Sequence, residues 1–236
     1  MSLVNSVSII GRGGFGKLLA ELIPDDVEVG LYGSKDTVEN ITSIGSSDVI
    51  FLAMPLQAYS DVLKKLRPAL KPETLIVDVC SVKVKPAEYI REYLPDHQNV
   101  LLTHPLFGPQ SYHNKQKKVL VVTAGENAKA KRVIQFCEQK LKLTILMMSN
   151  EAHDQRMAEI HVLTFFIARA LQQLELHSEP FMTPSFQSLL DLAALDATHT
   201  DALFETIQNG NPFAAEERAN FIKTLQEIDK DLSSNT

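Results

Sequence analysis

Four of the chain's ten glycines fall within six residues. Gly11, Gly13, Gly14 and Gly16 stand in the stretch "SIIGRGGFGKLLAELI", directly behind an apolar, β-branched run. Glycine costs backbone entropy, so such a cluster marks a place where the chain must turn sharply or let something approach its backbone. The spacing Gly11, Gly13, Gly16 after the strand-like "VSII", and at the head of a helical pattern, is the dinucleotide fingerprint of a βαβ unit. In that arrangement Gly11 allows the tight turn and Gly13 lets a pyrophosphate approach. Gly16 lets helix pack on strand, and the helix N-terminus offers N–H donors to the phosphates.

The chain beyond the loop supports the same architecture. From Ser6 to Met148 short apolar runs ("VEVGL", "DVIFLAMP", "TLIVDV", "NVLLTHP", "VLVVT", "LTILMM") alternate with helical patterns such as "LQAYSDVLKKLRPAL" and "NAKAKRVIQFCEQKLK". This alternation predicts parallel βαβ units. After Ser149 the strand signals stop. The expected fold class is α/β: a Rossmann-type, mostly parallel, doubly wound sheet over residues 1–149, followed by a smaller all-helical domain over residues 150–236. The first helix of that second part is expected from Glu151 to Leu176 and is apolar around most of its circumference, so it needs cover on nearly every side. A second copy of the chain is the natural source, which predicts a homodimer through the helical part. Asn211 and Pro212 read as N-cap and first residue of the last helix, which ends near "DLSSNT".

Composition narrows the partner. A formal charge of −6 and a pI near 5.7 argue against a nucleic-acid or anionic-membrane surface, because both need clustered Lys and Arg. A small-molecule substrate is the expected partner. The two cysteines, Cys80 and Cys137, and an N-terminal "MSLVNS" without signal-peptide character point to free thiols in a reducing cytoplasm. The longest apolar run resembles "VIFLAMPL", far short of the roughly 20 residues that span a bilayer. No metal site is assigned.

The second strand's end indicates which dinucleotide is expected. NAD enzymes place an acid there for the ribose 2′-hydroxyl. Here the run is Tyr32, Gly33, Ser34, Lys35, with no carboxylate before Asp36. A hydroxyl beside an ammonium suits a 2′-phosphate, so NADP is expected over NAD, with Arg12 as a further phosphate contact. The cofactor site is assigned to Gly11, Arg12, Gly13, Gly14, Phe15 and Gly16, to Tyr32, Ser34 and Lys35, and to Met54 and Pro55 behind the third strand.

Ligands of doubly wound sheets lie outside the carboxyl ends of the strands. Behind "LIVDV" and "VLLT" stand Ser81, Lys83 and His104. A histidine beside a nicotinamide is suited to accept a hydroxyl proton, since its side chain titrates near neutrality. The same residue is also suited to bonding only backbone. Four stretches, "IIGRGGFG", "DVCSVKVKP", "THPLFGPQSY" and "EAHDQRMAEIHVLTFF", in this order, resemble the prephenate and arogenate dehydrogenases of tyrosine biosynthesis. The resemblance implies a Rossmann-type domain, a helical dimerisation domain, and NADP- or NAD-dependent oxidation of a ring hydroxyl with loss of carbon dioxide. Carried over by motif, His104 is the hydroxyl partner and Ser81 and Lys83 line the site beside it.

The chain also departs from that family. Where the family's helix motif has a histidine reaching the substrate, this chain has Phe165. Where bacterial members carry carboxylate-binding arginines, it has Gln187 and Leu195. His161, one turn before Phe165, together with Arg156 and Arg169, stands as a candidate replacement. His153 and Asp154 read as supports of the helix start rather than reacting groups. Two alternatives to a dehydrogenase of this type are weighed, the first of them weak. A β-hydroxyacid dehydrogenase needs a helix lysine, and none occurs between Lys142 and Lys223. A cofactor-binding redox or metabolite sensor without turnover fits the missing arginines and histidine.

Overall fold

The computed structural model describes residues 4–234. Met1–Leu3, on which part of the N-terminal signal reading rests, and the last two residues of "DLSSNT" lie outside the described residues. The chain divides into two compact units, one ending at His153 and one beginning at Asp154.

The first unit is built on seven strands: β1 Ser6–Ile10, β2 Glu28–Tyr32, β3 Val49–Leu52, β4 Leu75–Asp78, β5 Val100–Pro105, β6 Val119–Ala124 and β7 Thr144–Met147. They lie in the order β2-β1-β3-β4-β5-β6-β7. The helices are α1 Gly14–Leu22, α2 Ser34–Glu39, α3 Ile41–Gly45, α4 Tyr59–Leu66, α5 Val84–Tyr93, α6 Pro109–Tyr112 and α7 Ala128–Gln139. Both faces of the sheet are covered, which is why its inner strands read as near-continuous apolar runs. Tyr59, Leu63 and Leu66 of α4 and Ile90 of α5 pack on Ile50, Leu52 and Ile76. Ala130 of α7, together with Leu19 and Ala20 of α1, packs on Ile9, Val77 and Leu101 across the sheet.

The sheet departs from uniform βαβ winding at one place. β6 runs antiparallel to β5, while β7 is parallel to β6. A parallel return needs a crossover of a dozen or more residues, usually a helix. Between Pro105 and Val119 the chain forms only the four-residue α6, so it turns back instead. The register shifts where Leu102 pairs with Ala124 and Thr103 with Val122, which leaves Thr123 of β6 as the extra residue opposite this part of β5.

The second unit is helical. α8 Asn150–Met157, within which the division of the units falls, passes through a π-helical turn, Ala158–Val162, into α9 Leu163–Gln173. Then come α10 Pro184–Ala197, α11 Asp201–Gly210 and α12 Ala214–Ser234. The expected continuous helix to Leu176 is therefore interrupted and stops earlier, with Glu175 in the left-handed region at φ 51°. The π turn has side-chain support. Gln208 donates its amide to the Val162 carbonyl at 2.9 Å, and Arg218 orients that amide by donating to its oxygen at 2.9 Å. Phe165, Val162, Ala158, Ile207 and Ala214 form the core of this unit. Within the segment "TPSFQSLLDLAALDATHTDAL" α10 ends and α11 begins, and the Thr200 hydroxyl caps α11 by accepting from the Leu203 N–H. α12 starts two residues later than expected, because Asn211 accepts from the Phe213 N–H and Pro212 sits in the turn before the helix. Among the described residues no helix is long and apolar enough to cross a membrane.

Candidate active site

The glycine loop leaves β1 between the ends of β2 and β3. Its conformation accounts for the glycines one by one. Gly11 adopts φ 131°, its N–H donates to the Tyr32 carbonyl at 2.8 Å, and a Cβ there would drive into the Ala53 carbonyl. A Cβ on Gly16 would strike the Gly11 carbonyl, whereas one on Gly13 meets nothing within 4 Å. Gly13 is thus the open position at the head of α1, whose first turn carries no acid. Unopposed N–H groups and a positive helix end in open space fit a phosphate-bearing cofactor. Pro109 lies 3.2 Å from where a Gly14 Cβ would stand, and Phe15 meets the Phe107 ring at 6.2 Å, so the "HPLFGP" segment borders the loop. Met54 and Pro55 come directly after β3, beside Ala53.

At the end of β2 the structure adds a group that spacing alone places too far along. Asp36 folds back onto the turn: its carboxylate accepts from the Gly33 N–H at 3.0 Å and pairs with the Arg12 guanidinium at 2.7 Å. Arg12 also donates Nε–H to the Leu31 carbonyl at 3.0 Å, which pins it beside the turn. Ser34 and Lys35 are exposed on the first turn of α2. Tyr32 turns its ring back over Gly30, where no side chain opposes it.

The carboxyl ends of β4 and β5 carry a buried polar network. Asp78, fully buried, shares its face of β4 with Ile76. Its carboxylate accepts from the Tyr59 hydroxyl at 2.5 Å and from the Cys80 N–H at 3.1 Å, and forms an ion pair with Lys83. Burial, then the Asp78 charge, pushes the Tyr59 hydroxyl well above its ordinary range, so that hydroxyl stays a donor. Lys83 is itself fully buried and donates to the Thr103 carbonyl at 2.5 Å, while the Thr103 hydroxyl donates to the Asp78 carbonyl at 2.7 Å. The residue before His104 is therefore tied to β4 from both sides. His104, 4% exposed, meets the fully buried His153 through an Nδ1···Nε2 hydrogen bond of 2.9 Å. Ser81 is half-buried in the turn between β4 and α5.

The structure thus brings Lys83 and His104 to one place but gives them different positions. Lys83 reaches the site through the Thr103 main chain and Asp78. Sequence reasoning missed Asp78, Tyr59 and the partnership of His153. An acid closing the otherwise apolar strand "LIVD" was the available signal for Asp78. Tyr59 sits in an amphipathic helix pattern and gave none.

Residues 25–141 match the family described as prephenate dehydrogenase, nucleotide-binding domain. The chain is 27% identical to arogenate dehydrogenase 2, chloroplastic, of Arabidopsis thaliana, over 96% of this chain and 69% of that one. It is 25% identical to a probable arogenate/prephenate dehydrogenase of Methanocaldococcus jannaschii, over 94% of this chain and 56% of the relative's length. Residues 25–141 thus carry the nucleotide-binding domain of the prephenate dehydrogenase family. The fold agrees with that of the A. aeolicus prephenate dehydrogenase solved with hydroxyphenyl propionate and NAD+, at a TM-score of 0.74 and 18% identity, covering 100% of this chain and 93% of that one.

In the second unit, the positions that the sequence reading sets against the family pattern have the following surroundings. Phe165 is 4% exposed, with the rings of His161 and His199 edge-on at 5.0 and 4.9 Å. Gln187 donates to Asp191 at 2.8 Å along α10. Leu195 is half-buried, and its carbonyl bonds His199 Nδ1 at 2.8 Å. Arg169 pairs with Asp201 at 3.0 Å and lies over the Phe204 ring. Arg156 is exposed.

Proposed function

We propose that this chain is an NADP-dependent dehydrogenase that oxidises the ring hydroxyl of arogenate or prephenate with loss of carbon dioxide. The observation that carries the reading is His104: a buried histidine at the carboxyl end of β5, bonded through Nδ1, in a segment whose Phe107 and Pro109 meet Phe15 and Gly14 of the glycine loop. In this reading Gly11, Gly13 and the first turn of α1 bind the pyrophosphate. Ser34 and Lys35 bind the 2′-phosphate, with Arg12 turning to it from Asp36. NADP, when bound, supplies the hydride acceptor. His104 meets the substrate through Nε2 and takes the hydroxyl proton as the carbinol becomes a carbonyl. Loss of the ring carboxylate as carbon dioxide then leaves an aromatic ring, which makes the sequence irreversible. Ser81 lines the site, and Lys83 and Asp78 hold the strand end that presents His104.

The second unit carries the proposed homodimer. Ile222, Leu225, Ile228 and Leu232 form an exposed stripe along α12, and Ile160 on the π turn is 61% exposed. Apolar surface of this kind marks an interface.

One observation favours a second reading, a cofactor-binding protein without turnover: Phe165, which the resemblance sets where the family has its helix histidine, is packed and buried. A single assay separates the two. The purified chain is given arogenate or prephenate with NADP+ or NAD+, and reduced cofactor is monitored by absorbance. The first reading expects turnover with NADP+ and release of carbon dioxide. Cofactor binding with no reduced product from either substrate supports the second.

A further inference from the structure

We infer that His153 is a positioning residue for His104, setting which ring nitrogen of His104 carries the proton. The inference rests on the assignment of His104 as hydroxyl partner. It starts from the 2.9 Å contact between His104 Nδ1 and His153 Nε2, with the rings at 74° and their centroids 5.1 Å apart.

A neutral imidazole has one N–H and one lone pair. A hydrogen bond between two ring nitrogens therefore holds a single proton, and its placement decides what His104 offers at Nε2. When His104 donates Nδ1–H to His153, Nε2 presents a lone pair and can take a proton. When His153 donates instead, the His104 Nε2 carries hydrogen and can only give one. The first arrangement alone serves oxidation of a hydroxyl. It also provides for the product of proton uptake: an imidazolium at His104 needs an acceptor for Nδ1–H, and His153 Nε2 is that acceptor, in a charge-assisted bond. Both rings are buried, so water does not substitute freely for the partner.

The backbone of His153 lies in the first turn of α8: its main-chain N–H donates to the Ser149 carbonyl at 3.0 Å, and the Ser149 hydroxyl caps the same turn by accepting from the Ala152 N–H. The charged groups on the neighbouring elements are Asp78 of β4 and Lys83 before α5, paired with each other. Tyr59 stands on α4, Asp154 is next to His153 in the chain, and β6 opposes His104 with Val121.

The test uses the full chain with NADP+ and arogenate or prephenate, in wild type, His153→Leu and His153→Gln. It is joined to 15N NMR of the histidine rings, with His104 assigned by its loss in His104→Asn. Wild type is expected to show His104 protonated at Nδ1. His153→Leu is expected to lower kcat tenfold or more with KM and the NADP Kd unchanged. It should also move the acid limb of the kcat profile about one pH unit lower, because the imidazolium has lost its acceptor. His153→Gln, which keeps an amide acceptor, should restore the limb. An Nε2-protonated His104 in wild type overturns the inference, as does a His153→Leu enzyme with unchanged kcat and pH profile. If wild type turns over neither substrate, the functional reading falls while the NMR tautomer still decides the role of His153.

Discussion

Replacing Lys83 by methionine isolates the energetics of the network beneath His104. Both partners of the Lys83–Asp78 pair are fully buried. The change removes the ammonium and leaves the carboxylate with only the Tyr59 hydroxyl and the Cys80 N–H. The Thr103 carbonyl loses the Lys83 ammonium as a donor as well. Removing one partner of a buried pair costs about 3–5 kcal/mol, because the other charge stays desolvated. For a unit of this size that lowers Tm by roughly 6–20 °C, at about 2–4 °C per kcal/mol. Scanning calorimetry measures it, supported by far-ultraviolet circular dichroism, since the chain has no tryptophan to report unfolding. Lys85→Met is the control: its 2.7 Å pair with Glu88 is exposed, and such pairs contribute less than about 1 kcal/mol. Adding Asp78→Leu to Lys83→Met should recover most of the loss, because no unpaired charge remains and Tyr59 keeps the Leu52 carbonyl at 3.3 Å. A Lys83→Met loss below about 1 kcal/mol, or a double variant no more stable than the single, would refute this account of the pair.

Gly11→Ala should destabilise the first unit and abolish cofactor binding, because its φ and the Ala53 carbonyl both oppose a Cβ. Gly13→Ala should keep the wild-type Tm and lose cofactor affinity alone, which thermal scans and titration separate. Lys35→Ala should weaken NADP about tenfold or more, the scale of one charge-assisted bond, with NAD unchanged. Equal NADP affinities in the two proteins would remove the 2′-phosphate assignment. Leu225→Glu with Ile228→Glu should turn a micromolar dimer into a monomer by light scattering, and a wild-type monomer would remove the dimer proposal.

The sheet was legible in the sequence because its inner strands are buried on both faces and so read as unbroken apolar runs. Direction was not: β6 has the same apolar signature as its neighbours, and only the length of helix before it separates an antiparallel return from a parallel crossover. The glycine loop was legible because steric exclusion at Gly11 and Gly16 leaves no other residue type. Asp36 escaped a spacing argument because the turn brings it back to Gly33, a geometry that sequence distance does not carry. His153 reads as helix-start support in the sequence because its partner, His104, lies 49 residues away on β5. The π turn was invisible for a related reason: its support comes from Gln208 and Arg218, far along the chain.

The central claim is that His104 takes the substrate's hydroxyl proton, and His104→Asn tests it most directly when kcat and the NADP dissociation constant are measured on one preparation. The account predicts an unchanged dissociation constant with kcat lowered about 10²-fold or more, the scale of lost acid–base assistance. A His104→Asn protein that turns substrate over at the wild-type rate would contradict it.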